Sequence, residues 1–363
     1  MKPPGYDAAL AGAVLVDRTD RGLLRLFGRD PVRMVQGLVS NDVQSLDPGQ
    51  ATYATMLTAT GRMLADLRVI RRSDDLLLEA DQAALPNIRD TLTRFVPPLF
   101  ARAEDIGNAL SVIGVYGPAS TRILVELFSP VPVPAGDVEP VERSSGDDVT
   151  AISSPLDQLP VDSATFAAFG DAVPILIRSD YAGVDGWDIV VETSAADRVR
   201  DAIRAAGAEP ATLETLEVLR IEAGRPRWGA ELTEDVIPLE AGLKDRAIST
   251  SKGCYVGQEV VIRVLHRGHV NRNLRGILTG DGALSQPGTE LFRSADAATK
   301  AGRSVARITS SAFSPRLGRA IAIAYVRREV EPGEAILLGS ADGIPAEVVA
   351  LPFNSGPSTG PAV

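Results

Sequence analysis

The segment of residues 252–259, Lys-Gly-Cys-Tyr-Val-Gly-Gln-Glu, concentrates residue types that support thiol chemistry. It contains the only cysteine of the chain, Cys254, and the cation Lys252 stands two positions before it. A neighbouring cation lowers the pKa of a thiol and raises its thiolate fraction. Gly253 and Gly257 flank the thiol, and glycine lets the backbone turn tightly or approach a ligand closely. The segment therefore predicts a polar turn with a working thiol, although a turn with an incidental small hydrophobic residue shows the same pattern.

Two polar clusters in the first part of the chain are candidates for binding a ligand. Asn41 and Asp42 follow a short predicted helix and either cap and turn the chain or present an amide and a carboxylate. In the predicted strand 63–70, Asp66 and Arg68 share one face because successive strand residues alternate. Asp66 therefore either pairs with Arg68 on a solvated face or directs its carboxylate into a cleft.

The other charged residues and the two histidines give weaker indications of a functional site. Arg220 and Glu222 lie in the last turn of a predicted helix, where such charges are structural by default. His266 and His269 have no Cys, Asp or Glu beside them at ligand spacing, so we predict no metal site. A thiol–imidazole pair between Cys254 and His266 is an alternative for which the sequence offers no residue to orient the imidazole.

Composition limits the classes of protein to which the chain can belong. With 363 residues, 45% of them hydrophobic, it is long enough for two or three domains with packed cores. A net charge of −10 argues against nonspecific binding of nucleic acid, and a single cysteine cannot form an internal disulfide. The N-terminus lacks an apolar signal core, and no apolar run approaches the about 20 residues of a membrane helix. We therefore expect a cytoplasmic protein without a membrane or direct nucleic-acid partner.

Short apolar runs separated by turn residues predict an α+β fold. The two runs within residues 12–27 predict a hairpin, and the Pro- and Ser-rich residues 129–160 predict a loose loop. The β-branched residues after Gly257 predict a strand over residues 259–265, with a second strand over 270–278. Evenly spaced short strands within residues 274–352 predict a small antiparallel barrel or sandwich.

The 252–259 segment resembles the signature of the YgfZ family, a branch of the superfamily that includes the glycine-cleavage T-protein, a tetrahydrofolate-dependent aminomethyltransferase. Further segments resemble this superfamily in family order. They are residues 39–42, 61–67, 183–188, 219–224, 309–315 and 321–326.

The resemblance implies an α+β fold, a three-domain ring around a central channel for a reduced folate, with a C-terminal antiparallel β-barrel. The implied parts are residues 1–50 with parts of 110–170 as a first α+β subdomain, 51–110 and 171–250 as the folate-binding α+β region, 251–273 as the signature loop with a connecting hairpin, 274–352 as the barrel and 353–363 as a disordered tail.

The resemblance also assigns roles to individual residues. Asp188 matches a T-protein glutamate that faces the pterin, and a carboxylate can accept two hydrogen bonds from the amino and ring N–H groups of a pterin. Asp66 keeps one carboxylate of the T-protein's Asp-Asp pair, and Ala65 replaces the other. The implied catalytic residues are Cys254 and Lys252. The implied folate-binding residues are Asn41, Asp42, Asp66, Asp188, Arg220, Gln258 and Glu259.

The implied function is that of a folate-binding accessory protein that supports the assembly or repair of iron–sulfur enzymes and affects tRNA modification. Its partners would be iron–sulfur client proteins, and its ligand would be tetrahydrofolate or a derivative. Because a cluster needs about four thiolates, one cysteine is expected to act by transient exchange with a client. The alternative is a tetrahydrofolate-dependent aminomethyltransferase or demethylase that acts on a small amine.

Overall fold

The computed structural model describes residues 2–131, 156–280, 284–293, 303–339 and 343–353. Most of the predicted loop 129–160, and residues 354–363 of the predicted tail, lie outside the described residues. The helices are α1 Tyr6–Ala11, α2 Pro31–Gln36, α3 Leu85–Phe95, α4 Ser120–Leu127, α5 Thr193–Ala205, α6 Leu213–Glu222, α7 Lys244–Ala247 and α8 Gln258–Arg267. The strands are β1 Val14–Asp17, β2 Arg21–Phe27, β3 Ala51–Leu57, β4 Met63–Arg71, β5 Asp75–Asp81, β6 Arg102–Asp105, β7 Leu110–Tyr116, β8 Ser129–Pro130, β9 Ala164–Ala168, β10 Ile175–Arg178, β11 Gly186–Glu192, β12 Glu209–Pro210, β13 Arg272–Thr279, β14 Glu290–Arg293, β15 Ala306–Ser314, β16 Arg319–Arg327, β17 Ala335–Leu338 and β18 Ile344–Val349.

A five-stranded antiparallel sheet in the order β3-β4-β5-β2-β6 positions the first candidate carboxylate. Within it, Tyr53 lies directly opposite Arg68 and Thr55 lies opposite Asp66, so these four side chains share one face. All four are buried, as is the apolar opposite face of β4. The alternative of a solvated face for Asp66 and Arg68 is therefore wrong, because a second sheet covers it.

The second sheet has seven strands in the order β12-β1-β7-β11-β10-β9-β8 and carries Asp188 on β11. The predicted hairpin over residues 12–27 is wrong. Strand β1 pairs with β7 and β12, whereas β2 pairs with β5 and β6 of the first sheet. The chain therefore crosses from one sheet to the other between these strands, and a local pattern of apolar runs cannot reveal that crossing.

The strand predicted over residues 259–265 is wrong, since the structure places helix α8 there. Val261 is buried and Val264 and Leu265 are half-buried, whereas Glu259 and Arg263 are exposed. This spacing of three and four residues places the apolar side chains on one face of a helix. The helical period therefore outweighs the β propensity of the Val-Val-Ile run, and the predicted connecting hairpin does not form.

The C-terminal part is a closed antiparallel barrel in the order β13-β16-β15-β14-β17-β18. Along β15 every second residue is buried, which is the alternation that closes a barrel around its own core. Helix α6 packs against β15 and β16 and joins the barrel to the rest of the chain. The prediction of an α+β fold with a C-terminal antiparallel barrel is confirmed. Across the described ranges, no helix has the length and apolar character needed to cross a bilayer.

Candidate functional site

A layer of buried and half-buried ion pairs joins the facing surfaces of the two sheets. From the five-stranded to the seven-stranded sheet its members are Arg21, Glu79, Arg68, Asp188, Arg18 and Asp20. Arg68 donates from Nε to Glu79 at 2.6 Å and from Nη2 to Asp188 at 2.7 Å, so one guanidinium bridges the sheets. Because three guanidinium groups face three carboxylates, each buried charge has a partner. We call these six residues the inter-sheet ion layer.

Asp188 lies inside this layer with a side chain that is 1% exposed. Its Oδ1 accepts hydrogen bonds from Arg18 at 3.1 Å and from the hydroxyl of Tyr116, and its Oδ2 accepts from Arg68. Burial acts to raise the pKa of Asp188, but Arg68 and Arg18 outweigh it and hold that pKa below its usual range. Both oxygens are engaged within the protein, and the predicted contact of Asp188 with folate remains a prediction.

Asp66 is a buried carboxyl with an incomplete set of partners. Its Oδ2 accepts a hydrogen bond from the hydroxyl of Tyr53 at 2.9 Å. Its Oδ1 is buried and has no hydrogen-bond partner among the described residues. Burial raises the pKa of Asp66, against the opposing effects of Arg21 and of the Tyr53 hydroxyl. Asp66 can therefore hold a proton at a higher pH than an exposed aspartate does.

A cleft of about 410 Å³ opens beside Tyr53, where β3 meets loops of the seven-stranded sheet. Its lining residues are Ala51, Thr52, Tyr53, Val161, Asp162, Ser163, Asp180, Asp245 and Arg246. The guanidinium carbon of Arg246 lies 4.7 Å from the centre of the Tyr53 ring. The same guanidinium donates to both oxygens of Asp162, at 2.5 and 2.8 Å. The cleft thus ends at the aromatic side chain that binds Asp66.

Asn41 and Asp42 hold the backbone around this cleft. The Nδ2 of Asn41 lies 2.8 Å from the carbonyl oxygen of Tyr53 and 3.3 Å from that of Arg246. The Oδ1 of Asp42 accepts a hydrogen bond from Gln36 at 2.9 Å within its own turn. Although partial burial acts to raise the pKa of Asp42, its hydrogen bonds, led by that from Gln36, lower it. Of the two alternatives for this pair, these contacts are those of residues that cap and turn the chain.

Lys252 anchors the 252–259 segment to the rest of the protein. Its Nζ donates hydrogen bonds to the carbonyl oxygens of Gln36, Val39 and Asn41, at 2.7, 2.7 and 2.8 Å. Burial lowers the pKa of Lys252 to about 8. All three N–H donors of the ammonium group are used. The side chain therefore fixes the turn that carries Asn41.

Replacement of Lys252 by methionine should lower the free energy of unfolding by about 2 kcal/mol, because three carbonyl groups lose a charged donor. Urea unfolding followed by circular dichroism measures this loss. Arg263→Met, on the exposed side of α8, is the matched control and should change stability by less than about 0.5 kcal/mol. Equal unfolding midpoints for Lys252→Met and the wild type would show that the ammonium group does not anchor the segment.

Cys254 is exposed on the turn that precedes α8. The turn requires glycine at Gly257, where φ is 83° and a Cβ atom would meet the carbonyl oxygen of Thr58 at 2.5 Å. Within the described residues no hydrogen bond joins the thiol to Lys252. Nor do any three His, Cys, Asp or Glu side chains in the described part cluster closely enough to hold a metal ion. The structure therefore presents an accessible thiol, and the catalytic roles of Cys254 and Lys252 remain predictions.

Two protein-family models together match most of the chain. The model described as "GCVT N-terminal domain" matches residues 6–141 and 145–252, and the "Glycine cleavage T-protein C-terminal barrel domain" matches residues 272–354. The chain belongs to the glycine cleavage T-protein family. The predicted membership of the T-protein superfamily is therefore confirmed.

Two curated relatives of this T-protein family member are named aminomethyltransferase. The protein of Rubrobacter xylanophilus is 29% identical over 348 residues, which cover 96% of this chain and 85% of the relative. The protein of Saccharopolyspora erythraea is 30% identical over 359 residues, which cover 96% of this chain and 88% of the relative. The crystal structure of aminomethyltransferase T of the Bartonella henselae glycine cleavage system has a TM-score of 0.77 at 19% identity and covers 98% of this chain and 91% of that chain. This structural similarity shows that the two proteins share a fold.

None of the seven predicted folate-binding residues of this T-protein family member lines the cleft, and three of them lie on helices α6 and α8. Arg220 is fully buried and donates to Glu231 at 2.8 Å and to Ser310 of β15 at 2.7 Å, so it joins α6 to the barrel. Gln258 and Glu259 form the first turn of α8, where Gln258 is half-buried and Glu259 is exposed. Their binding of folate remains a prediction.

Tyr53, Asp162 and Arg246, which line the cleft, are not among the site residues predicted from the sequence. Tyr53 occupies an ordinary strand position, and neither Asp162 nor Arg246 belongs to a recognisable motif. Asp162 is the only residue other than glycine with positive φ in the described ranges, at 66°, and that feature is visible only in the structure. The one available signal was the strand period, which places Tyr53 on the face of Asp66 once β3 is paired with β4.

Proposed function

We propose that this chain is a cytoplasmic, tetrahydrofolate-dependent one-carbon transferase of the aminomethyltransferase type that acts on a small amine. Membership of the T-protein family and the name of the relatives support this proposal. The observation that carries it is the buried carboxyl of Asp66, which has a raised pKa and one oxygen without a hydrogen-bond partner among the described residues. Carboxyl groups with these properties occur at sites of proton transfer.

The site fits the chemistry of a reduced folate. A pterin presents amino and ring N–H groups, and the Oδ1 of Asp66 is a buried acceptor without a partner in the described protein. The adjoining cleft of about 410 Å³ falls in the range of small-molecule sites and has an aromatic wall at Tyr53. Tyr53 and Asp66 are thus the residues that would hold the ligand. When bound, tetrahydrofolate supplies amine nitrogens that carry the one-carbon unit.

Asp66 is the group of this chain that holds and moves a proton. The Tyr53 hydroxyl donates to Oδ2, so the proton of the neutral carboxyl resides on Oδ1. From there it can be given to a nitrogen of the bound molecules, and the resulting carboxylate can take a proton back. Burial keeps bulk water from competing for this proton. A positioned acid–base group of this kind contributes about 10²–10⁴-fold to a rate.

Calorimetric titration with tetrahydrofolate, followed by turnover assays with methylated and aminomethylated amines, tests the proposal. We expect saturable binding and transfer of one carbon to or from tetrahydrofolate with at least one amine. Binding without turnover across a broad panel would reject the transferase function and leave a folate-binding protein. Absence of binding would reject the folate site itself.

The exposed thiol of Cys254 favours a second candidate function, the YgfZ-like support of iron–sulfur enzymes. An accessible thiol can exchange with a client protein or a cluster donor, whereas a buried one is inert. Iron–sulfur clients and effects on tRNA modification belong to this candidate alone. It requires the same folate cleft but makes the 252–259 segment the working site.

Replacement of Cys254 by alanine separates the two functions. Under the second candidate function, Cys254→Ala abolishes complementation of a strain that lacks the endogenous family member, because no thiolate remains for exchange. Cys254→Ser, which keeps the size of the side chain, should fail equally. Both variants should unfold within about 0.5 kcal/mol of the wild type because the position is exposed. Full complementation by Cys254→Ala would remove the working role of the thiol and leave the transferase function untouched.

A further inference from the structure

Arg246 covers the cleft side of Tyr53. Its guanidinium group stacks over the phenol ring at 4.7 Å, and the ring hydroxyl on the other side binds Asp66. Two carboxylates hold the guanidinium in this place. Asp162 accepts two hydrogen bonds from it, and Asp180 lies 3.4 Å from its Nη2. A planar fork bound at both oxygens of one carboxylate has little freedom to rotate.

The backbone at Asp162 is strained in the conformation that makes this contact. Its φ of 66° lies in the left-handed region, which costs a non-glycine residue of order 1–3 kcal/mol. Its N–H donates to the carbonyl oxygen of Arg178 at 2.9 Å, which fixes the loop to β10. Such strain persists where the surrounding structure demands it, and here it directs the carboxylate at Arg246. The stack on Tyr53 thus depends on three parts of the fold: Tyr53 lies on β3, Arg246 on α7 and Asp162 in the loop before β9.

We propose that Arg246, anchored by Asp162, is a positioning residue that pins the Tyr53 ring and so keeps the Asp66 carboxyl buried behind it, with an Oδ1 that has no hydrogen-bond partner among the described residues. This inference rests on the proposed function, in which Asp66 holds the proton. Tyr53 lines the cleft, and without the stacked guanidinium its ring gains the freedom to turn into that space. Water then enters behind it and solvates the carboxyl.

The direction in which the titration midpoint of Asp66 moves when Arg246 is replaced distinguishes a positioning role of Arg246 from a role of its charge. The titratable groups that act on Asp66 are the neutral hydroxyl of Tyr53 from β3 and the charged groups of Arg21 from β2 and Asp81 at the end of β5. Arg246 makes no direct contact with Asp66 among the described residues. Removal of a cation that acted through its charge would disfavour the carboxylate and raise the titration midpoint of Asp66. Removal of a residue that keeps water out has the opposite effect, because hydration favours the carboxylate.

The experiment is a pH titration of the Asp66 carboxyl by ¹³C NMR in the full-length protein, with the signal assigned by its loss in Asp66→Asn. We expect Arg246→Met to move the midpoint toward acid by about one pH unit. Asp245→Asn, which alters a neighbouring exposed residue in the lining of the same cleft, is the matched control and should leave the midpoint in place. An unchanged or raised midpoint in Arg246→Met overturns the proposal.

Arg246→Lys keeps the charge but loses the planar fork, and it covers the case in which Arg246→Met does not fold. We expect a smaller shift toward acid in this variant, whereas a role by charge alone predicts none. The titration needs no ligand, so its result is independent of the proposed function. If Asp66→Asn binds and turns over folate like the wild type, the role of Asp66 in proton transfer fails even where Arg246 positions the carboxyl as described.

Discussion

Asp66→Asn is expected to lower kcat/KM for one-carbon transfer by about 10²–10⁴-fold, because the amide cannot hold or exchange a proton as the carboxyl does. The substitution is nearly isosteric, and an amide oxygen still accepts the hydrogen bond that the Tyr53 hydroxyl donates to Oδ2. The amide then places its NH₂ group where Oδ1 would accept the pterin N–H groups, so tetrahydrofolate binding should weaken as well. Steady-state kinetics with saturating tetrahydrofolate, together with calorimetric binding, measure the two effects separately.

The same variant should be at least as stable as the wild type. Since the pKa of Asp66 is raised in the folded protein, the folded state binds its proton more tightly than the unfolded chain does. Above the unfolded pKa this difference opposes folding, and it disappears when the carboxyl is replaced by an amide. Asp66→Asn should thus lose activity while its urea midpoint at pH 7 stays equal or rises. A loss of activity that accompanied a loss of structure would instead mark Asp66 as a structural residue.

Asp90→Asn provides the matched control for this experiment. Asp90 is exposed on α3 and does not line the cleft, so its loss should change kcat/KM by less than about threefold. Tyr53→Phe refines the assignment, because removal of the hydroxyl that lowers the pKa of Asp66 should raise that pKa. The pH profile of Tyr53→Phe should accordingly move toward alkaline pH. A profile that did not move would disconnect Tyr53 from the titrating group.

The part of the site that lies on one strand was predictable from the sequence, and the part that depends on partners distant in the chain was not. The two-residue period of β4 placed Asp66 and Arg68 on a common face, and the structure retains that face. The period could not reveal that Arg68 binds Asp188, which is 120 residues away. For the same reason the cover of Tyr53 by Arg246 had no local signal.

The fold class followed from apolar spacing and from the family resemblance, whereas two local assignments failed for separate physical reasons. In α8, the buried Val261 and the half-buried Leu265 pack against the protein from one face of a helix. This packing outweighs the preference of the β-branched residues for a strand. At residues 12–27, the strands were recognised but their partners lie in different sheets. Tertiary packing decides both outcomes, and a single sequence carries little information about it.

Asp188→Asn is expected to lower the free energy of unfolding by about 3 kcal/mol at pH 7, because removal of one partner from a buried ion pair leaves uncompensated charge. The effect should fall at the low end of the usual range of about 3–5 kcal/mol. Arg18 retains Asp20 at 2.8 Å and Arg68 retains Glu79 at 2.6 Å, so neither cation loses its last carboxylate. Urea unfolding at pH 7 measures the loss. Glu126→Gln, which breaks the exposed pair with Arg122, should cost less than about 0.5 kcal/mol.

The dependence on pH identifies the charge of Asp188 as the cause of this loss. The folded pKa of Asp188 is depressed, so the carboxylate stabilises the protein above the unfolded pKa of about 3.9. That contribution is lost as the pH falls through the folded pKa. The difference in stability between the wild type and Asp188→Asn should therefore be constant from pH 6 to 8 and shrink in acid. A difference that grew toward acid would mean that the carboxyl is bound in its protonated form, and the inter-sheet ion layer would then not be the neutral set of pairs described here.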